Sequence, residues 1–305
     1  MKVILALAVL LASAATTTPA ADRSAGAGIT GDATRDDLNL FQMVARSQVI
    51  VDVRILSGSL RYALVEIQET LKGSPESDRL RVAFREFNWN RPKGEPPIEF
   101  PDGQREILFL VPYTGVKRTE KNRDLYALYR GEAGRVILAA EGSDPVAEAI
   151  RRLVRIAALD AAAQVAALKE LIGSPNTALR GAGLREVARL RAVDPSLYAV
   201  LTTVLSSSET GARVDALGLV RLMFGTFGTG EGMLPEEQQG RIALVRVMEM
   251  ARNDRAAAVR RAAVVAMAAW PQRDEIDPDL RNLAAQDPDQ TVRYEAQRAL
   301  LDSDR

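Results

Sequence analysis

The sequence NDRAAAVRRAAVVAM at residues 253–267 and the sequence DPDQTVRYEAQRAL at residues 287–300 share one pattern. In each stretch an aspartate lies five residues before a valine, an arginine follows that valine, and an alanine lies four residues after it. Apolar residues at this spacing fall on one face of an α-helix. The pattern therefore predicts the same amphipathic helix twice, and hence a repeated structural unit.

Two further copies of this unit precede the quoted stretches. Position zero is apolar in all four copies: Leu179, Ala212, Val259 and Val292. Position one is arginine: Arg180, Arg213, Arg260 and Arg293. Position four is small: Gly183, Ala216, Ala263 and Ala296. Position minus five is a residue type that caps helices: Ser174, Ser207, Asp254 and Asp287. Since one thin helix pair cannot bury its own apolar face, the repeat predicts pairs stacked in series.

The spacing of the copies locates an insertion. Position zero recurs after 33, 47 and 33 residues, so the middle interval contains 14 extra residues. Residues 225–233 (GTFGTGEGM) are glycine-rich, and Pro235 and the acids after it are typical of a helix start. We therefore place an inserted loop near residues 225–238. Residues 195–205 and 239–251 are predicted to be the first helices of their pairs.

The two quoted stretches resemble HEAT-like repeats of the short type first noted in phycobilisome lyases. The resemblance extends over residues 144–302 and is carried by the order Asp, Val-Arg, Ala and Leu. It implies an all-α solenoid of about four repeats at residues 144–305, which serves as a scaffold for a protein or other ligand. Some members of this family act on tetrapyrroles, so the resemblance implies no single function.

Residues 38–140 have a different pattern. Six short segments are alternating or wholly apolar, as strands are: residues 48–55, 62–68, 80–84, 106–111, 125–129 and 135–139. Gly131 and Gly134 separate the last two segments as a hairpin turn would. The segments predict a small all-β barrel or sandwich. The strings VEIQETLKG, EILFLV and DLYALYRGEAGRVIL resemble those of OB-like domains in exported bacterial proteins. Asp144 and Pro145 then predict a helix start, which places the domain boundary near residues 141–144.

The first residues indicate export. Met1 and Lys2 precede a run of ten apolar residues, and small residues follow. Ten residues are too few to span a bilayer, so residues 1–21 are predicted to be a signal peptide, with an uncleaved membrane anchor as the alternative. Residues 22–37 are predicted to be a flexible leader. The protein is expected to be periplasmic or secreted.

Composition restricts the chemistry. The 305 residues include no cysteine and no histidine, which excludes thiolate nucleophiles, imidazole bases and Cys/His zinc sites. Forty basic residues balance forty acidic ones, so no general positive field favours nucleic acid. We expect no nucleic-acid partner, no stable membrane span, no cofactor and no metal. We also expect that the protein is not an enzyme; the sequence does not indicate an oligomeric state.

The arginines at position one are the first candidates for a partner-binding site. Stacked repeats would align Arg180, Arg213, Arg260 and Arg293, either as a ridge for an anion or acidic peptide, or as structural bridges. The bridging interpretation has each guanidinium group bonding to loop carbonyls or a capping acid of the neighbouring repeat. Both interpretations are open at the level of sequence.

Two further segments offer candidates in the β domain. Trp89 and Arg91 lie in a run of aromatic residues and arginines that could stack on a sugar or peptide, or pack on a loop. The acids at positions 95, 99, 102 and 106 could support glycosidase chemistry, or line a solvated loop.

The favoured function is an exported scaffold that binds a protein or peptide through the solenoid. The alternative is an enzyme or enzyme accessory that acts on cell-envelope polysaccharide through the β domain. A scaffold predicts one continuous exposed strip along the helices. An enzyme predicts a pocket with at least two convergent ionisable groups.

Overall fold

The computed structural model describes residues 39–59, 62–84, 99–115, 119–139, 144–227 and 235–302. The chain forms two compact units, Met1–Leu159 and Asp160–Arg305. The predicted signal peptide (1–21), the predicted leader (22–37), and Trp89 and Arg91 lie outside the described residues.

A sheet closes on itself in the first unit. The described strands are β1 (Val49–Gly58), β2 (Tyr62–Lys72), β3 (Arg79–Ala83), β4 (Arg105–Pro112), β5 (Leu125–Leu128) and β6 (Arg135–Ile137). Neighbours follow the order β1-β2-β3-β5-β4, and β4 also pairs with β1. The β3–β5 pairing is parallel, and the remaining pairings are antiparallel. The prediction of a barrel is confirmed: five strands close it, and β6 adds to β4.

The barrel interior follows the alternation of its strands. On β1, Val49, Val51, Val53 and Ile55 point into the core, where they meet alternate residues of β2 to β5. Side chains alternate between the two faces of a strand, so every second residue is available to fill the barrel. The sequence pattern therefore identifies the interior face correctly.

The hairpin predicted between residues 125–129 and 135–139 is wrong. Strands β5 and β6 both pair with β4 and not with each other. A 3₁₀ turn at Gly131–Gly134 connects them. A Cβ atom on Gly134 would lie 2.2 Å from the carbonyl oxygen of Tyr129, so this glycine permits a close backbone approach instead of a two-residue turn.

Two of the described helices belong to the barrel unit. Helix α1 (Leu40–Arg46), which sequence analysis did not predict, begins at Asn39, whose side chain accepts a hydrogen bond from the amide of Gln42. Helix α2 (Pro145–Ala157) packs against α1. It begins at Asp144 as predicted, but the compact units divide at Leu159. Helix α2 therefore groups with the barrel, although the predicted boundary near residues 141–144 assigned it to the helical half.

Eight described helices form the second unit. They are α3 (Ala161–Leu171), α4 (Thr177–Leu190), α5 (Leu197–Leu205), α6 (Thr210–Phe227), α7 (Pro235–Asn253), α8 (Ala257–Met267), α9 (Arg273–Gln286) and α10 (Gln290–Leu301). Consecutive helices pair as α3–α4, α5–α6, α7–α8 and α9–α10, and each second helix packs on the second helix of the next pair. The four second helices α4, α6, α8 and α10 carry the four sequence copies.

The helix caps lie two residues later than predicted. The side chains of Asn176 and Asp289, at position minus three, accept hydrogen bonds from the first amides of α4 and α10. The residue at position minus five instead accepts a hydrogen bond from the amide at position minus three, as Asp287 does from Asp289. The residues predicted as caps therefore shape the turn before the helix.

The predicted loop at residues 225–238 is shorter than expected. Helix α6 continues through Gly225 to Phe227, and α7 begins at Pro235. Part of the 14-residue insertion thus lengthens these two helices, while residues 228–234 lie outside the described part of the chain. Phe224 in α6 packs edge-on against Trp270 at a centroid distance of 5.0 Å, which anchors the extended helix in the core.

Position four is small because a helix of the same pair lies against it. A Cβ atom on Gly183 would lie 2.7 Å from the carbonyl oxygen of Leu168 in α3. The alanines at this position in the other three copies are fully buried. By contrast, a Cβ atom on Gly181, two residues earlier in the same helix, would have no other atom within 4 Å.

These two glycines form a matched test. Gly181→Ala should stabilise the protein by about 0.5–1 kcal/mol, because alanine loses less conformational entropy in a helix. Gly183→Ala should destabilise it by about 1–2 kcal/mol, because the clash exceeds the same entropic gain. Urea unfolding followed by circular dichroism measures both. Equal stabilisation by both substitutions would contradict the close approach of α3 and α4.

Candidate functional site

The four arginines at position one each bond to the turn before their own helix. Their Nη1 atoms donate to the carbonyl oxygen at position minus five: Arg180 to Ser174 (2.9 Å), Arg213 to Ser207 (2.8 Å), Arg260 to Asp254 (3.0 Å) and Arg293 to Asp287 (2.6 Å). The same bond in all four copies shows that the side chain folds back over the turn.

Three of these arginines also bond forward, to an acid of the next repeat. Arg213 Nη2 donates to Asp254 (3.0 Å), and Arg260 donates from Nε and Nη2 to Asp287 (2.8 and 2.9 Å). Arg180 Nη2 donates to Glu209 (2.6 Å), because the residue at position minus five of that repeat is an uncharged serine. Each guanidinium group therefore joins two successive turns. We call these three contacts the inter-repeat bridges.

Asp287 shows how much one turn residue contributes to a bridge. Its carboxylate accepts from the side chain of Arg260 and from the amide of Asp289, while its carbonyl oxygen accepts from Arg293. Asp287 is 6% exposed and Arg260 is 8% exposed. The guanidinium group of Arg260 lowers the pKa of Asp287, and the carboxylate raises the pKa of Arg260. The carboxylate and the guanidinium group stabilise each other's charge away from water.

The geometry is the one that the bridging interpretation predicts. A guanidinium group is planar and offers several fixed donors, so it can reach a carbonyl behind and a carboxylate ahead at the same time. A partner-binding role for Arg180, Arg213, Arg260 and Arg293 stays a prediction, as it does for Trp89 and Arg91.

Sequence analysis missed a second set of ion pairs between repeats. Arg185 Nε lies 2.8 Å from Asp215, and Arg261 Nη2 lies 2.8 Å from Glu295. These pairs join α4 to α6 and α8 to α10. The acids share position three, but the arginines lie at positions six and two. Position three is alanine in the other two copies, Ala182 and Ala262, so a repeat alignment identifies neither the acids nor their partners.

A cavity of about 420 Å³ is bounded by residues of α6, α9 and α10 and by the C-terminal end of α8 with the two alanines that follow it. We call it the arginine groove. It is lined by Arg221, Val265, Ala268, Ala269, Arg273, Glu295, Arg298, Ala299 and Asp302. Sequence analysis did not predict it, because Arg221, Arg273 and Arg298 occupy different positions in the repeat. The groove concentrates ionisable side chains beside a floor of small residues.

The acids of the barrel do not form a pair of catalytic carboxylates. Glu106 is fully buried, and Arg135 Nε donates to it at 2.9 Å. Burial raises the pKa of Glu106, although Arg135 opposes the shift. Glu99 and Asp102 are exposed, and position 95 lies outside the described residues. Within the described ranges no group of three or more acidic side chains could hold a metal ion.

Comparison with known proteins finds one likeness of fold. The chain matches a solved structure of the complex of CpcE and CpcF of phycocyanin lyase from Nostoc sp. PCC7120, with 20% identity and a TM-score of 0.39. The match spans 52% of this chain and 91% of the solved one. The expected likeness of the C-terminal half to phycobilisome-lyase-type HEAT-like repeats is confirmed. No protein-family model matches the sequence, and no curated protein does.

The prediction that the protein is not an enzyme is wrong, because helical repeats do not exclude an enzyme. The solved protein that it resembles is a phycocyanin lyase, so helices of this kind occur in enzymes. The physical reason is that a repeat scaffold fixes helix positions, whereas chemistry depends on the side chains of individual helices.

The inter-repeat bridges predict that the same substitution lowers the free energy of unfolding by different amounts at Arg260 and at Arg293. Arg260→Met should destabilise the protein by about 2–3 kcal/mol, since it removes hydrogen bonds to a buried carboxylate. Arg293→Met should cost about 1 kcal/mol or less, because Arg293 bonds only to carbonyl oxygens of its own turn among the described residues. Urea unfolding of the two variants measures the difference. Equal losses would show that the forward bond to Asp287 contributes nothing.

The lowered pKa of Asp287 makes this stabilisation dependent on pH. A carboxylate whose pKa is lower in the folded state stabilises the fold above its unfolded pKa of about 4, and the contribution is lost as the pH falls through the folded value. We therefore expect the difference in unfolding free energy between wild type and Asp287→Asn to be largest near pH 7. It should shrink steadily below about pH 4. A constant difference in urea unfolding from pH 7 to pH 3 would contradict the prediction.

Proposed function

We propose that the second unit is an α-solenoid that acts as an interaction module for a protein or peptide, and that the chain works in an exported, accessory role. The observation that carries this proposal is the row of inter-repeat bridges. They hold α4, α6, α8 and α10 side by side, which leaves one face of these helices free for a ligand. Repeat proteins commonly bind partners on such extended surfaces.

The free face has the composition of a binding surface. Position six, which points away from the first helices, is occupied by Arg185, Gly218, Val265 and Arg298, none of which is buried. The row thus contains two charged residues, one apolar residue and one glycine, and side chains of such different size make the surface uneven. Rigid, preorganised surfaces bind at a lower entropic cost than flexible ones.

Export remains part of the proposal. It is supported by the apolar run after Lys2 and by the small residues that follow this run. None of the described helices is long and apolar enough to cross a membrane. An N-terminus at residue 15, 21 or 22, found by mass spectrometry of the exported protein, would agree with cleavage after Ala14, Ala20 or Ala21. Retention of Met1 would contradict cleavage.

The polysaccharide alternative has weaker support. It requires ionisable groups that converge in the barrel, and Glu106 is instead held in an ion pair with Arg135. We infer from the strand order that the barrel is OB-like, and such barrels also bind oligosaccharides without acting on them.

Site-specific cross-linking tests the proposed interaction. A photoreactive p-benzoylphenylalanine at Val265, on the free face, should cross-link in cells to one protein in preference to others. The same group at Val245, which is 66% exposed on the first helix α7, should not. Purified partner should then bind the purified full chain with a 1:1 stoichiometry. If neither the Val265 variant nor matching variants at Gly218 and Arg298 cross-link to any protein, the proposal is wrong.

A further inference from the structure

Each second helix has a side that receives the next repeat. The arginine at position one bonds forward from this side, and position five lies one helical turn further along it. In the first three copies position five is apolar and fully buried: Leu184, Leu217 and Val264. These copies lie on α4, α6 and α8, each of which packs against the second helix that follows it. Positions one and five therefore mark the side that the next repeat covers.

On α10 the corresponding side is exposed. Gln297 occupies position five, where the other copies have an aliphatic residue, and its side chain is exposed. Tyr294 is 59% exposed and Leu301 is 67% exposed. Ala296 at position four is fully buried, so the side of α10 towards its own first helix is covered as in the other copies. The described part of the chain contains no repeat after α10 that covers the exposed side. We call Arg293, Tyr294, Gln297 and Leu301 the terminal face.

Arg293 is held ready for a forward bond. Its Nη1 atom donates to the carbonyl oxygens of Asp287 (2.6 Å) and Pro288 (3.2 Å), which fixes the guanidinium group from behind. In the other three copies the Nη2 atom donates to a carboxylate of the next turn. The Nη2 and Nε atoms of Arg293 donate to no described residue. Because the side chain is already ordered, a carboxylate that arrives from outside binds at a low entropic cost.

The terminal face has the composition of an interface. A side that only ends a stack of repeats is expected to be polar. Tyr294 and Leu301 instead expose large apolar surfaces about 10 Å apart along the helix. Tyrosine and arginine are the residue types that contribute most to protein–protein interfaces. Permanent interfaces are more hydrophobic than reversible ones, so the polar Gln297 between the two apolar side chains favours a partner that binds reversibly.

We propose that the terminal face binds a helix of a partner protein that is preceded by an acidic turn. The partner's carboxylate bonds to Arg293 as Asp287 bonds to Arg260, and an apolar stripe of the partner's helix packs on Tyr294 and Leu301. This interaction goes beyond the proposed function, because it uses the end of the stack and not the free face. The partner thus continues the series of inter-repeat bridges.

Charge favours a different protein over a second copy of this chain. In the first repeat the turn residues at positions minus five and minus three are Ser174 and Asn176, so a second copy stacked by this end offers no acid there. The forward acids Glu209, Asp254 and Asp287 already accept from arginines of their own chain. Two terminal faces in contact would bring two positive charges together and supply no carboxylate.

Photo-cross-linking in cells tests the position of the interface. The full chain with p-benzoylphenylalanine in place of Gln297 should cross-link to one protein in preference to others. Mass spectrometry of the cross-linked peptides should place the contact within about three helical turns, or about 11 residues, after an Asp or Glu of that protein. The same group at Val245, which is 66% exposed on α7, should not cross-link to it.

Binding of the purified partner tests the bond. Arg293→Met should weaken the affinity about tenfold or more, and replacing the partner's mapped acid by its amide should do the same. The two changes together should weaken it no more than either alone, because they remove the same interaction. Arg281→Met is the matched control. Arg281 is 69% exposed on α9 and lies 4.0 Å from Asp277, so its loss should change the affinity less than about twofold.

Several outcomes would overturn the inference. These are cross-links from Gln297 to a second copy of this chain or to no protein, equal weakening by Arg293→Met and Arg281→Met, and additive effects of the two changes across the interface. The free face is tested separately at Val265. Cross-links from Val265 without any from Gln297 would leave the proposed function intact and overturn the binding at the terminal face. Cross-links from Gln297 alone would support the terminal face and contradict binding at the free face.

Discussion

The helical unit depends on one interaction, the arginine that joins two successive turns. Each turn before a second helix contains carbonyl and amide groups that the helices on either side cannot satisfy. The arginine at position one bonds to the carbonyl behind it, and three of the four also reach an acid ahead. Lysine would not make the same contacts, because all its donor hydrogens lie on one nitrogen, whereas the separate nitrogens of the guanidinium group reach a carbonyl behind and a carboxylate ahead.

The sequence contained enough information to locate the repeated second helices but not all of the contacts between them. The register of the second helices, the small residue at position four and the strands of the barrel all follow from local periodicity. Two of the forward acids, Asp254 and Asp287, also occupy a repeated position, minus five. The third does not: Glu209 lies at position minus three, 29 residues from Arg180, and no local pattern relates the two. The predicted hairpin fails for the same reason, since the choice of β4 as the neighbour of β5 and β6 is made by the whole barrel.

The arginine groove was missed for a different reason. Repeat analysis retains what the copies share, and the groove is made of residues in which they differ. Arginine occurs at position nine only in α6, and alanine occupies both positions nine and ten only in the third copy, just after α8 ends. Arg298 has an arginine counterpart at position six in α4 but not in the intervening helices. Shared positions maintain the stack, whereas departures from the repeat create a distinct surface. In a repeat protein, binding residues are therefore best sought among the positions that the alignment discards.

The bridges have a direction: in each one an arginine of the earlier repeat donates to an acid of the later repeat. The donor and acceptor are 29, 41 and 27 residues apart along the chain. At synthesis rates of 5–20 residues per second, each arginine leaves the ribosome roughly 1–8 s before its acid. Every new repeat thus completes the one before it, and the most recently made repeat is always the one without a forward bond. The inter-repeat bridges therefore become possible in the order in which the repeats are synthesised, so the stack is completed from its N-terminal end towards its C-terminal end.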